Sequence, residues 1–170
     1  MKKVLILIVL FVAGWAAQVN AQALKFGHID IQQLIQVMPE RQTAVDALEK
    51  EAAELEGMLG TMQEELQKMF QDYTAKRETM SELVRQAKEE DIQMKQQRIE
   101  TFRGQADQQL QTKQQTLMKP IFEKADKAIA DVAKEQGLIY VFDVSSRVVL
   151  YKSATSVDVL PLAKKKMGIE

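Results

Sequence analysis

Few side chains in this sequence could perform covalent chemistry. His28 is the only histidine and there is no cysteine. His28 could act as a general acid or base, but it lies in an alternating apolar stretch, which favours a partly buried strand residue. Glu89, Glu90 and Asp91 could hold a cation, although adjacent carboxylates more often form a solvated surface. We find no Gly-rich phosphate loop and no metal-ligand spacing, so we predict no enzyme activity, no metal and no cofactor.

A heptad repeat is the strongest pattern in the chain. Apolar residues recur at alternating steps of three and four, with Lys76 as the one interruption. This spacing keeps one stripe of a helix facing a partner helix under left-handed supercoiling. The predicted coiled-coil seam consists of Val45, Leu48, Ala52, Leu55, Leu59, Met62, Leu66, Met69, Tyr73, Met80 and Leu83.

The seam requires a covering helix, and the returning chain can provide it. Residues 39–137 contain no strand signal and lie between two strand regions that are too short to stand apart. We therefore predict a helical hairpin over 39–137 with its tip near 84–91, where the seam fades and charged residues cluster. Beyond Pro120, a second stripe of Phe122, Ala125, Ile129 and Val132 is expected to lead back to the strands.

The two flanking regions, 24–38 and 138–170, predict a small body of strands and short helices. Residues 138–143 and 148–152 are β-branched and aromatic runs, which favour a β-hairpin. Three short strands do not make a stable sheet alone, and their open edges can pair with another chain, so we expect oligomerisation to complete the body. The predicted body and oligomer core is Phe26, Ile29, Ile31, Leu138, Tyr140, Val141, Phe142, Val149 and Leu150.

The first residues predict a secretory signal peptide over 1–21, with cleavage after residue 21 or 23. Lys2 and Lys3 precede an apolar run, and small residues follow it. An uncleaved membrane anchor is the alternative, but the apolar run falls short of the roughly 20 residues that span a bilayer. Removal of both lysines leaves 21 basic and 24 acidic residues, a net charge of −3. This mildly acidic balance argues against nucleic-acid binding.

Apolar residues beside the seam are candidates for contact with another protein. They are Met58, Phe70, Val84, Met94 and Phe102. Methionine is unbranched and polarisable, so it suits surfaces that accept partners of different shape. The alternative is that these side chains pack within the hairpin.

Both ends of the sequence resemble the Skp/OmpH family of periplasmic chaperones. The resemblance rests on KFGHIDIQQLIQVMPE at 25–40 and GLIYVFDVSSRVVLYKSATSVDVLPLAKKKMGIE at 137–170. It implies a homotrimer in which strands from three chains form the body. Three tentacles would then enclose a cavity that holds unfolded outer-membrane β-barrel proteins without ATP. The best-known members are strongly basic, whereas this mature chain is mildly acidic, so the sequence does not favour contact with membranes or lipopolysaccharide.

Together these patterns predict an α+β protein that is mostly α, with a long antiparallel coiled-coil hairpin projecting from a small β body. The leading functional hypothesis is a periplasmic holdase chaperone. The alternative is a structural spacer or adaptor of the cell envelope that binds a folded partner through the tip of the hairpin. A membrane-surface protein would need a basic amphipathic face, which we do not find.

Overall fold

The structure, a computed structural model, describes residues 24–146 and 148–169, and the predicted signal peptide lies outside them. The prediction of a mostly helical α+β protein with a long hairpin is confirmed. In chain order the elements are β1 (Lys25–Ile29), α1 (Ile31–Gln36), α2 (Pro39–Lys76), a 3-10 turn (Arg77–Thr79), α3 (Glu82–Gln136), β2 (Leu138–Asp143), β3 (Val157–Asp158) and α4 (Leu160–Met167).

Local sequence signals set several helix ends. Asp30 caps α1, since its carboxylate accepts a hydrogen bond from the Gln33 amide at 3.0 Å and another from the Gln33 side chain at 2.8 Å. Pro39 begins α2, where a missing N–H costs nothing. Gly137 ends α3 with φ +65°, a left-handed conformation that glycine adopts without strain.

The hairpin turns at 77–81, N-terminal to the predicted 84–91, which lies inside α3. The Ser81 hydroxyl caps α3 by accepting a hydrogen bond from the Val84 amide at 3.4 Å. Our prediction placed the tip midway between the ends of the hairpin, which assumes arms of equal length. Helix α2 has 38 residues and α3 has 55, because α3 continues into the body.

The sheet is parallel throughout, with strand order β2-β1-β3. The predicted antiparallel hairpin of 138–143 with 148–152 is therefore wrong, since the third strand is Val157–Asp158. After β2, the Asp143 carboxylate accepts hydrogen bonds from the Ser145 amide and hydroxyl, which turns the chain away from the sheet. Residues 148–152 then find no strand partner within the described chain.

The core lies between one face of the sheet and the helices. It consists of Ile29 from β1, Leu34 and Ile35 from α1, the C-terminal part of α3, and α4. Gly27 lies at a point of close approach, because a Cβ built there would be 2.7 Å from Leu138 Cδ1 and 2.9 Å from Val159 Cγ2. Only glycine fits this position without movement of its neighbours.

The spacing of inward residues on α3 changes near Pro120, through which the helix continues. From Lys113 towards the C-terminus, the inward residues are Leu117, Ile121 and Ala125. They follow one another at steps of four rather than at alternating steps of three and four. As a result Ile121 is buried in the core, and Phe122, which we predicted to lead into the body, is exposed.

Candidate functional site

The returning helix covers the predicted seam. The seam residues from Val45 to Tyr73, which lie on α2, are all half-buried, and so is Met80. Leu83, beyond the turn, is 78% exposed. On α3, Ile92 and Ile99 are buried against the seam. The inward face of α3 is therefore apolar, but polar side chains interrupt it.

Polar pairs join the two arms along most of their length. Glu51 accepts hydrogen bonds from Gln109 at 2.6 Å and from Lys113, whose Nζ lies 2.9 Å away. Residue numbers within each bonded pair add to between 160 and 164, which centres the antiparallel register on 80–82 and agrees with the observed turn. The pairs are Glu40–Lys124, Glu51–Lys113, Glu65–Lys95 and Tyr73–Glu89.

Three side chains in these pairs have a shifted pKa. The hydrogen bond from Gln109, and then the one from Lys113, lowers the pKa of Glu51. The Lys124 ammonium lowers the pKa of Glu40 in the same way, chiefly through its hydrogen bond. The pKa of Tyr73 is raised because its hydroxyl donates to the Glu89 carboxylate. Near neutral pH the carboxylates of Glu40 and Glu51 are therefore ionised and paired.

Four of the five predicted contact residues are exposed on the arms. Met58, Phe70 and Met94 are each more than half exposed, Val84 is slightly less so, and Phe102 is half-buried. Met94 and Phe102 line one shallow cavity of about 470 Å³, together with seam residue Met62 and the polar residues Gln97, Arg98, Thr101 and Gln105. The structure brings these two candidates together, whereas the other three lie outside that cavity.

A larger groove lies at the base of the arms, which the sequence did not reveal. It has a volume of about 710 Å³, and its apolar wall consists of Ile35, Ala44, Val45, Leu48, Leu117, Met118 and Phe122. Arg41, Lys119, Glu123 and Asp126 add both signs of charge to its lining. The change of spacing near Pro120 places Phe122 in this groove, and a strict heptad reading of α3 could not show it.

The outer face of the sheet carries an exposed aromatic cluster. The rings of Phe26, Tyr140 and Phe142 stack with centroids 6.0–6.5 Å apart. Of the other predicted core residues, Ile29 is buried, and Ile31, Leu138, Val141 and Val149 are half-buried. Leu150 is 92% exposed, so none of the described residues covers it.

His28 is buried on β1, as expected for a structural strand residue, with 7% of its surface exposed. Within residues 24–146 and 148–169, no group of three or more acidic or histidine side chains could hold a metal ion. No helix in the same ranges is long and apolar enough to cross a membrane. The described residues therefore form a coiled-coil hairpin on a small sheet, with apolar side chains exposed along its arms.

The chain belongs to the OmpH-like family. The family model described as "Outer membrane protein (OmpH-like)" matches residues 25–167, which include both arms and nearly all of the body. This family is one of periplasmic chaperones, so membership supports a chaperone role connected with outer-membrane proteins. A search of curated proteins found no match.

Proposed function

We propose that the protein is an ATP-independent periplasmic holdase that shields unfolded outer-membrane β-barrel proteins between the arms of a homotrimer. One observation carries the proposal. Met58, Phe70 and Met94 stay more than half exposed even though the two arms already cover each other's seam. Side chains that the fold leaves uncovered along such an arm are available to a guest chain.

The chemistry of these side chains suits a guest without fixed structure. Methionine adapts its shape to many neighbours, so Met58 and Met94 can contact different sequences at similar cost. The groove at the base adds Phe122 and Met118 to the apolar surface. Many weak contacts of this kind hold an unfolded chain and keep its strand edges from pairing with other chains.

Exposed surfaces of the body support self-association. Within residues 24–146 and 148–169, no helix covers the sheet face that carries the stacked Phe26, Tyr140 and Phe142 rings, and Val148 and Leu150 are each more than four-fifths exposed. In the same part of the chain, no strand lies beside the outer edge of β2. A second copy can bury the aromatic face and pair with this edge. Native mass spectrometry of the mature chain tests the proposal, which requires three copies; a monomer would exclude an enclosed cavity.

Light scattering tests the holdase function. An outer-membrane β-barrel protein is diluted from urea with the mature chain and without nucleotide, and we expect scattering to be suppressed. The variant M58S/F70S/M94S removes exposed apolar side chains and should lose most of this protection. The control Q63S/Q67S/Q96S changes three exposed glutamines on the same helices and should keep it. Undiminished aggregation with the unmodified protein would reject the proposal.

The exposed tip favours one alternative, an adaptor that binds a folded partner there. Leu83 and Val84 are exposed at the start of α3, next to the turn. The variant L83S/V84S separates the two functions. A holdase that uses the whole arm should retain nearly all of its protection in the scattering assay with this variant. An adaptor would instead lose its binding to the folded partner.

A further inference from the structure

A buried polar contact joins β1 to the loop that follows β2. His28 Nδ1 lies 2.9 Å from Ser156 Oγ, and His28 Nε2 lies 2.6 Å from Lys152 Nζ. Both partners belong to residues 149–156, which we call the covering segment because it lies over the outer face of β1 beside Phe26 and Phe142. Of its three side-chain hydrogen bonds to β1 within the described chain, two end on His28 and the third joins Ser156 to the Phe26 carbonyl.

The chemistry of lysine fixes the protonation of this histidine. An ammonium group has only donors, so Nε2 of His28 must accept the hydrogen bond from Lys152. The imidazole is therefore neutral, with its proton on Nδ1, and it donates to the Ser156 hydroxyl. A second proton would occupy Nε2, remove the acceptor and place two positive charges in contact.

Within the described chain, no other charged or titratable group makes a hydrogen bond to His28. Asp158 is the register partner of His28 on β3, and its Oδ1 accepts a hydrogen bond from the Leu160 amide at 3.0 Å, so its carboxylate acts on the added charge only through space. A cavity lies between β1 and the covering segment, and both Lys25 of β1 and Tyr151 of the segment line it. Lys25 adds positive charge there. From β2 the register partner is Phe142, which carries no charge, and Tyr140 stacks beside it.

We propose that protonation of His28 releases the Lys152 end of the covering segment from β1, so that the outer sheet face opens in mildly acidic solution. Histidine is the side chain suited to such a switch, because its charge ordinarily changes between about pH 5 and 8. The Ser156 end stays attached, since Nδ1 donates to the hydroxyl in both protonation states and β3 follows directly. The opening is therefore confined to residues 149–152.

Linkage sets the size of the effect. Opening takes up one proton, so the docked segment is favoured at higher pH and loses stability as pH falls. With a single proton, the equilibrium between open and docked segment changes by at most about tenfold per pH unit. A steeper dependence would require additional groups.

Backbone 15N relaxation measured by NMR tests the switch in the full mature chain. The population of open 149–152 should rise at most about tenfold between about pH 7.5 and about pH 5.5, because one proton is taken up and the ordinary charge change of histidine lies within that interval, and the amides of these residues should become more mobile. Amides of 157–160 provide an internal control and should not change. H28Q cannot take the proton, and K152M removes the repelled charge, so both variants should lose the pH dependence. Lys152 is exposed, so K152M should fold normally.

Two results would overturn the proposal: equal mobility of 149–152 at both pH values in the unmodified chain, or an unchanged pH dependence in K152M. The switch does not depend on the holdase proposal. Because the covering segment includes Val149 and Leu150, however, native masses recorded in the same buffers would show whether its opening also weakens association. A chain that is monomeric at both pH values would reject the trimer and leave the relaxation test intact.

Discussion

Replacing a glycine by alanine should have opposite effects at two positions in this fold. At Gly27 a new Cβ would lie 2.7 Å from Leu138 Cδ1 and 2.9 Å from Val159 Cγ2. At Gly57, in the interior of α2, nothing lies within 4 Å of the new Cβ. The same chemical change therefore meets a packed core in one case and open solvent in the other.

The magnitudes follow from these distances. Ordinary carbon–carbon contacts are about 3.5–4.0 Å, so the neighbours of Gly27 must move by about 1 Å. Overpacking of this kind costs about 1–3 kcal/mol of unfolding free energy. At Gly57, alanine is the better helix former and should add about 1 kcal/mol. For a urea dependence of about 2 kcal/mol/M, G27A should lower the unfolding midpoint by about 0.5–1.5 M and G57A should raise it by about 0.5 M.

Urea unfolding followed by circular dichroism measures both variants against the unmodified chain. G27A with a midpoint equal to or above that of the unmodified protein would refute the argument that the sheet packs closely against Leu138 and Val159. A lower midpoint for G57A would refute the description of that helix face as open.

Three further predictions follow from single side chains. Because its pKa is lowered, Glu51 stabilises the arms only while ionised; this contribution is present above about pH 4.5 and is lost as pH falls through the lowered pKa. Thermal melts between about pH 3 and 6 should show this loss, and E51Q should reduce it. S81A removes the cap of α3 and should cost about 1 kcal/mol in urea unfolding, and an unchanged midpoint would contradict the capping role. F122S should weaken protection in the scattering assay and cost about 1–2 kcal/mol of stability, since Phe122 is 39% exposed and the rest of its side chain is covered; full protection would exclude the groove as a binding surface.

Local signals made much of the fold predictable. The heptad spacing predicted a helix paired with another helix. A single sequence was sufficient for this prediction because the same chain supplies the partner helix. Asp30 with Gln33, and Gly137 after the last helical turn, marked helix ends through interactions that span only a few residues. Such features depend on neighbours in sequence, so a single chain contains the information needed to recognise them.

Features that depend on distant partners were harder to predict. The predicted tip lay too far towards the C-terminus because α3 continues into the body, and no sequence pattern near 84–91 indicates how long α3 is. Residues 148–152 have strand-forming composition, but a strand also needs a neighbour. Within the described chain, the turn at Asp143 directs the chain away from β2, and β1 is already paired on both sides. Phe122 was expected on the stripe that leads into the body, because the sequence pattern does not show that the inward residues of α3 follow at steps of four beyond Lys113. Exposure of Met58 and Phe70 beside the seam was consistent with the sequence, whereas the groove at the base required the packing of three helices.

Parallel pairing of β1 with β2 has a consequence for how the molecule could be resized. Parallel neighbours must be joined by a connection that returns to the starting end of the sheet, and here everything from α1 through α3 is that crossover. Deleting seven residues from α2 together with the facing seven from α3 would shorten the projection by about 10.5 Å and leave both anchoring strands in place. The length of the arms can therefore change in whole heptads without altering the strands that anchor them.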